Sequence, residues 1–514
     1  MVNNNKHDAV KRFLLVVPLL LGGLNPSTGL ADAGLQSLAG KTAPWQDRPR
    51  VFVLSDIGNE PDDQMSLTRF LLYSNELNIE GMVATTSTWQ RKIVHPEMME
   101  RVLSHYAEVQ PNLLKHDPHY PSAASLKALI ASGQSGYGMG DVGPGKASSG
   151  AVLLLNAIER STDGSRPLYI NLWGGANTLA QALSDLSRKY PADKVNALTR
   201  NLIVYAISDQ DDAGYWVRQH YPDITYIVDP SSQNGEDYAR ATWTGISGDK
   251  YYRNAPGADF STVSQSWLED NIRNKGPLGK GYLRYDFIME GDTPAFLGLI
   301  RNGLASEMNP GWGGWGGRYI LRVPSHETRP IWSSGGDFFP GSPNAADTVI
   351  GIDGRQYTSN QATIWRWRTA FQHDFAARMD WSIKDYAQAN HNPVVVVNGS
   401  PGKQPIAVKA KVGETIKLSA EGSRDPDGDK LSYQWIFYPE ASSAISTPVN
   451  IGDVRGARGE DYLTGPAVLS LSNADRITAE VKVSHPGTAH IILAVTDSGT
   501  PSLTSYRRVM VVAE

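Results

Sequence analysis

From residue 50 onward the apolar positions come in short unbroken runs. The stretches 50–55 (RVFVLS), 79–86 (IEGMVATT), 167–173 (PLYINLW), 201–207 (NLIVYAI) and 224–229 (ITYIVD) are apolar at consecutive rather than alternate positions. Strands buried on both faces of a parallel sheet show this pattern. Between them the period changes. Leu67, Phe70, Leu71 and Ser74 share one face of a helix, and GANTLAQALSDLSRKY repeats at helical spacing. Strand–helix alternation predicts a parallel α/β sheet with helices on both faces. Ligands of such sheets bind beyond the carboxyl ends of the strands.

The pattern then loosens. Residues 230–360 are loop-rich, with a helical TPAFLGLIRNGL and a Gly/Trp segment, NPGWGGWGGRY; a helix is expected over ATIWRWRTAFQHDFAARMDWSI. Composition shifts at AQANHNPVVVVNG, after which short alternating runs (ETIKLSAEGS, KLSYQWIFY, RITAEVKVS, TAHIILAVTD, YRRVMVVAE) sit between Gly, Pro and Asp turns. These predict a smaller C-terminal β-sandwich. The expected division is an α/β unit over 49–380, a linker over 381–392 and the sandwich over 393–514. A length of 514 residues agrees, being too great for one compact core. No long repeat or low-complexity tract interrupts it.

Lys6, Lys11 and Arg12 precede a 12-residue apolar run, Phe13 to Leu24, followed by small residues at Ala31 and Ala33. This is the layout of a secretory signal peptide over 1–33, too short for a stable membrane span, and it predicts a secreted or periplasmic protein. There is no cysteine, so no disulfide staples the exported chain. A net charge of −5 offers no basic field for a nucleic-acid polymer.

The first buried strand runs into SDIGNEPDDQMSL, with Asp56, Glu60, Asp62 and Asp63 in eight positions. Pro61 fits the first position of a helix capped at Asn59 or Glu60, with Asp62 and Asp63 in its first turn. Acids there are favoured by the helix dipole alone. Asp56, however, leaves the strand end toward the same crevice, and converging carboxylates repel unless a cation or protons compensate. Hard oxygen ligands suit Ca²⁺, and less well Mg²⁺.

This stretch resembles the opening of the nucleoside hydrolase superfamily, strand–Asp-x-Asp-Pro-Gly-x-Asp-Asp–helix, whose aspartates hold a catalytic Ca²⁺. Asp62 and Asp63 match the Asp-Asp pair. Asp56 matches either the first aspartate, with Gly58 at the second, or the second, with two residues inserted. IEGMVATTST resembles the family's second strand, LWGGANTLAQAL its turn that lends a backbone carbonyl (here Trp173) to the metal, and MEGDTPAFL the late segment giving the last metal aspartate, Asp292. Where many family members carry a base-protonating histidine, this chain has Gly291. DIGNEPDD, VATTSTW, AISDQDD and EGDTP are closer to one branch: secreted cellulose-binding proteins with a nucleoside-hydrolase-like domain and a C-terminal immunoglobulin-like domain.

The resemblance implies a Ca²⁺ on Asp56, Asp62, Asp63, Asp292 and the Trp173 carbonyl. Asp56 would take the proton of an attacking water, and Glu290 or Asp209 would protonate the leaving group. Asp209, Asp211 and Asp212 follow a strand, where they either meet sugar hydroxyls or cap a helix. Glu60, Asn171, Asn177 and Asp212 are further candidates for substrate contact. Trp89, Trp312 and Trp315 offer indole faces for sugar rings, or pack the core. In the second unit Asp425, Asp427 and Asp429 form either an ordinary polar turn or a calcium-holding turn of the kind that PKD and cadherin-like modules carry, and Trp435 is the expected core tryptophan. The leading expectation is an exported metal-dependent hydrolase of glycosidic bonds acting on carbohydrate, cellulose among the candidates. The alternatives are a polysaccharide-binding protein without catalysis and a periplasmic nucleoside hydrolase.

Overall fold

The computed structural model describes residues 37–229, 235–247, 257–285, 288–324, 327–334, 345–442, 446–450, 461–464 and 468–514. The signal-peptide expectation over 1–33 lies outside them. Among the described residues no helix is long and apolar enough to cross a membrane.

Strands β1 (Arg50–Ser55), β2 (Asn78–Ala84), β3 (Ile130–Ser132), β4 (Leu168–Leu172), β5 (Leu202–Ala206), β6 (Thr225–Ile227), β7 (Ile320–Arg322) and β8 (Ile331–Ser333) form one sheet in the order β3-β2-β1-β4-β5-β6-β8-β7. All neighbours are parallel except β7 and β8. Every residue of β1 is buried. Val51 and Val53 enter the core on one face of the sheet, and Phe52 and Leu54 that on the other, which explains why the run does not alternate. β3, β7 and β8 were not foreseen; each has three residues, and unlike the equally short β6 none lies in an apolar run as long as 224–229.

Helices cover both faces, as expected. α1 (Pro61–Leu72) and α2 (Pro96–Leu113) pack on the Val51 face; α3 (Ser149–Glu159) and α4 (Asn177–Lys189) pack on the Phe52 face. The chain moves outward through β1, β2 and β3, then returns to β4 on the other side of β1. Crossovers therefore part at the β1–β4 junction, which opens a crevice beyond their carboxyl ends. Trp173 N donates to Leu54 O at 2.7 Å and closes that junction. The long helix expected over 362–383 is broken into Ala362–Trp365 and α6 (Arg368–Trp381), with α5 (Ala213–His220) lying earlier in the chain.

The C-terminal unit pairs a four-stranded sheet (Ile406–Ala410, Thr504–Ala513, Gly487–Asp497, Leu431–Tyr438) with a three-stranded one (Thr415–Ser419, Thr478–Val483, Leu469–Ser472). Leu418 and Val481 from one meet Ile491, Leu493 and Val509 from the other around Trp435. The outer face of the larger sheet is not solvated: Tyr438, Ile492, Ala494 and Tyr506 enter the core of the first unit. The two units even share main-chain bonds, Tyr506 N to Asn302 O at 2.8 Å and Arg508 N to Gly303 O at 3.1 Å. Gly303 has φ +99, and a Cβ there would lie 1.8 Å from Tyr506 O. Segment 381–392 is packed rather than loose, with Trp381 Nε1 bonded to Asn390 O and His391 stacked on Tyr386.

Candidate metal centre

The loop after β1 turns at Gly58 and enters α1 through Pro61, with Glu60 as N-cap. Asp62 and Asp63, in the first turn, are buried, as is Asp56 at the strand end. Asp292 arrives from a remote part of the chain, just before the single helical turn Pro294–Leu297. One carboxylate oxygen from each of Asp62, Asp63 and Asp292 lies within 4.8 Å of the other two. Asp56 stands beside them, its carboxyl lining the same cavity and close enough to raise the pKa of Asp62 and Asp63. Ser55 Oγ donates to Asp63 Oδ1 at 2.6 Å and fixes that side chain in the cluster. Gln90 Nε2 holds the loop by donating to Asp56 O at 3.1 Å.

Two glycines make this convergence sterically possible. A Cβ at Gly174, after β4, would lie 3.0 Å from Asp56 Oδ1, and one at Gly291 would lie 2.7 Å from Asp62 Oδ2. A side chain at position 291, where the family carries its base-protonating histidine, would therefore have to push the Asp62 carboxylate out of the cluster. Glu290 precedes it in the left-handed region, φ 57, a conformation that costs a non-glycine residue about 1–2 kcal/mol. That turn sends Glu290 and Asp292 in different directions.

The electrostatics of the cluster are those of carboxyls crowded together away from water. Burial pushes Asp56 up to about 6. Burial, then the neighbouring Glu60 and Asp56, pushes Asp62 up to about 8. Burial and the adjacent aspartates hold Asp63 and Asp292 well above the usual carboxylate range. Among the described residues, buried Asp292 Oδ2 has no hydrogen-bond partner. The cavity these acids share is about 20 Å³, room for an ion or a water molecule. Trp173 also lines it; its carbonyl accepts from Gln210 Nε2 at 2.5 Å and keeps a second lone pair. An all-oxygen donor set with an orphaned carboxylate oxygen fits a hard divalent cation, Ca²⁺ better than Mg²⁺ given its irregular arrangement. Glu60 and Trp89 stand at the rim, Trp89 61% exposed.

Other expected site residues lie elsewhere. Glu290 is fully buried behind the centre, where its carboxylate accepts from Arg69 Nη1 and Tyr282 OH, both at 2.7 Å; it is not a cavity-facing acid. Asp209 is held by both terminal nitrogens of Arg218, at 2.9 and 2.8 Å, and does not line the cavity. Asp211 accepts from the Asn177 and Ala213 main-chain NH groups, the capping alternative, and burial raises it to about 6. Asp212 is exposed and accepts from Met139 N. The Asn177 side chain is satisfied within the protein by Thr85, Thr86 and Gly136. Asn171 faces a different cavity. Trp312 and Trp315, expected at the rim, pack the junction between the units: Trp312 against His490 and Arg508, Trp315 against Phe371 and Tyr506.

Gln210, Tyr238 and Trp243 line the centre and were missed. Gln210 had a signal, since it sits among the acids at the carboxyl end of β5, but acidity drew attention to its neighbours. Tyr238 and Trp243 come from the loop-rich region, where no periodicity reaches.

Comparison with known proteins places this geometry in context. Residues 50–319 match the model described as cellulose-binding Sde182, nucleoside hydrolase-like domain, and residues 415–513 match the cellulose-binding protein Sde0182, C-terminal domain. A solved structure of a nucleoside hydrolase-related hypothetical protein from Saccharophagus degradans, described as associated with carbohydrate metabolism, is similar over 91% of this chain and 100% of its own, at 33% identity and a TM-score of 0.72. A microbial collagenase of Vibrio alginolyticus is 29% identical over 119 residues, 23% of this chain and 12% of the collagenase.

Proposed function

The chain belongs to the family of Sde182-type cellulose-binding proteins with a nucleoside hydrolase-like domain, and from that premise we propose that it is an exported, metal-dependent hydrolase of glycosidic bonds in carbohydrate. The observation that carries this reading is the convergence of the adjacent Asp62 and Asp63 with Asp292, remote from them in the chain, on one buried point at the switch of the sheet. Keeping such acids together is costly unless they hold a cation or protons, and a cation lets them stay ionised at neutral pH. Asp62, Asp63, Asp292 and the Trp173 carbonyl would hold it, with Asp56 alongside. A bound divalent cation supplies Lewis acidity and a water of lowered pKa. In this reading Asp56 would accept the proton of an attacking water, its carboxyl lying beside the cluster and raised by burial to about 6. Glu60 and Trp89 would meet the sugar at the rim, Trp89 with an apolar ring face and Glu60 by accepting from hydroxyls.

The leaving group gets no help from Glu290 or Asp209, whose carboxylates are locked in ion pairs. That observation favours a second reading, recognition of cellulose or another polysaccharide without turnover. It also weighs against nucleoside hydrolysis, for which Gly291 leaves no protonating side chain. Incubation of full-length protein with cellulose, cello-oligosaccharides and nucleosides, with added Ca²⁺ and beside Asp63→Ala, separates the readings. Reducing sugar released by the wild type and lost in chelator and in Asp63→Ala is the expected result. Retention on cellulose with no product from any substrate would replace hydrolysis by binding. Ribose from inosine or uridine would establish the nucleoside reading.

A further inference from the structure

A second cavity, of about 630 Å³, lies between the β4–β5–β6–β8 part of the sheet and the covering segment 295–319. It shares no lining residue with the acidic centre. On the sheet side it is walled by Tyr169, Asn171 and Tyr205, and on the cover side by Glu307 and Tyr319. Lys41, Arg200 and Asp223, all exposed, mark where it reaches the surface. The size is that of sites which enclose a small molecule.

Two of its polar side chains are left unsatisfied. Asn171 is 1% exposed and Glu307 6%. Among the described residues, Asn171 Oδ1 and both carboxyl oxygens of Glu307 have no hydrogen-bond partner. Buried polar groups are nearly always paired, so orphans facing one space point to something that fills it. These groups are held in place by the fold. Tyr169 OH donates to Glu307 O at 2.9 Å, fixing the cover to the sheet two residues from Asn171 on the same face of β4. Tyr205 sits opposite Asn171 across β4–β5, and its hydroxyl is bonded to that of Tyr319. Burial, with no ion-paired partner, raises Glu307 to about 8, so this carboxyl is able to donate as well as accept. An amide, a carboxyl and the phenols of Tyr169, Tyr205 and Tyr319 offer donors and acceptors together, and the tyrosine rings offer apolar faces.

We propose that this cavity binds a small neutral polyhydroxylated ligand of mono- or disaccharide size, independently of the acidic centre. Ring hydroxyls both donate and accept, and their C–H faces stack on phenol rings. A permanent cation would answer the acceptors but leave the Asn171 amide N–H unanswered.

Calorimetric titration of glucose and of cellobiose into full-length protein tests this, with chelator present so that the acidic centre is stripped, and with Asp63→Ala beside it. At least one sugar should bind saturably, equally well to wild type and Asp63→Ala. Asn171→Leu and Glu307→Leu should each weaken binding by roughly tenfold or more, because a site built around hydroxyl partners rejects a ligand it no longer pairs with. Both substitutions should also raise the melting temperature of the ligand-free protein, since each removes an unpaired buried polar group. This combination, weaker binding with higher stability, is not what a purely structural role gives. No heat with either sugar would leave water as the only occupant and overturn the proposal. Binding abolished by Asp63→Ala, or unaffected by both leucine substitutions, would move the ligand elsewhere and overturn it equally. Should one leucine variant fail to fold, the other decides alone.

Discussion

Replacing Asp62 by asparagine separates the two forces acting on the acidic centre. Without an ion, folding carries this carboxyl from an ordinary 3.8 to about 8. At pH 7 it is then protonated in the folded protein and ionised in the unfolded chain. A raised carboxyl contributes fully below 3.8, and its contribution is lost as pH rises toward 8. The ion-free protein therefore weakens across that window. Each pKa unit between 3.8 and 7 is worth about 1.4 kcal/mol, so the loss at pH 7 is about 4 kcal/mol. Asparagine has nearly the same shape and no charge to neutralise. In excess chelator Asp62→Asn should therefore stabilise the protein by about 4 kcal/mol. Unfolding entropy near 2.1 cal/mol/K per residue gives about 1 kcal/mol/K for the roughly 480 residues from 37 onward, and hence a rise of about 4 °C. Ca²⁺ at about a thousand times Kd should stabilise the wild type by about 4 kcal/mol and the variant far less. Differential scanning calorimetry at pH 7, in chelator and in millimolar Ca²⁺, reads both effects. A variant that melts below the wild type in chelator, or a Ca²⁺ shift equal in both proteins, would refute the reasoning.

Glu290→Gln leaves Arg69 buried without a counter-charge and should cost about 3–5 kcal/mol in urea denaturation, while Ca²⁺ uptake stays unchanged because Glu290 does not line the centre. Arg508 donates to Leu304 O, Trp312 O and Gly313 O across the junction; Arg508→Met should cost roughly 3–6 kcal/mol by stranding these carbonyls, and limited proteolysis should then cut between the units. His116 bonds His391 and the Lys384 carbonyl, and burial, then His391, lowers its pKa below 6.5. Its contribution is complete above 6.5 and is lost as pH falls. The wild-type advantage in urea midpoint over His116→Gln should therefore be larger at pH 8 than at pH 5.

In the first unit the legible strands were those in unbroken apolar runs, because burial on both faces erases alternation; in the second unit alternation itself marked them. The helix carrying Asp62 and Asp63 was legible through Pro61. β3, β7 and β8 were not, since, unlike the equally short β6 in its run 224–229, they lie in no apolar run of that length and take their identity from their neighbours. The acids near 56–63 and at 292 were brought into one expected site by resemblance, not by spacing, because nothing local to Asp292 shows what it faces. Glu290 misled for a related reason: its backbone turn, φ 57, decides its direction, and the sequence shows only that it is adjacent. The aromatic residues of the Gly/Trp loop look alike for a sugar platform and for an interface. What separated them was a second unit whose outer sheet face is apolar, visible afterwards in the unbroken run of TAHIILAVTD.

The claim at the centre is that Asp62, Asp63 and Asp292 hold one divalent cation. Equilibrium dialysis of chelator-stripped full-length protein against ⁴⁵Ca²⁺, beside Asp292→Asn, tests it without reference to any substrate. One ion bound per chain in the wild type, and none at the same concentration in Asp292→Asn, is the expected result. Wild-type protein that retains no Ca²⁺, or an Asp292→Asn protein that retains it undiminished, would contradict it.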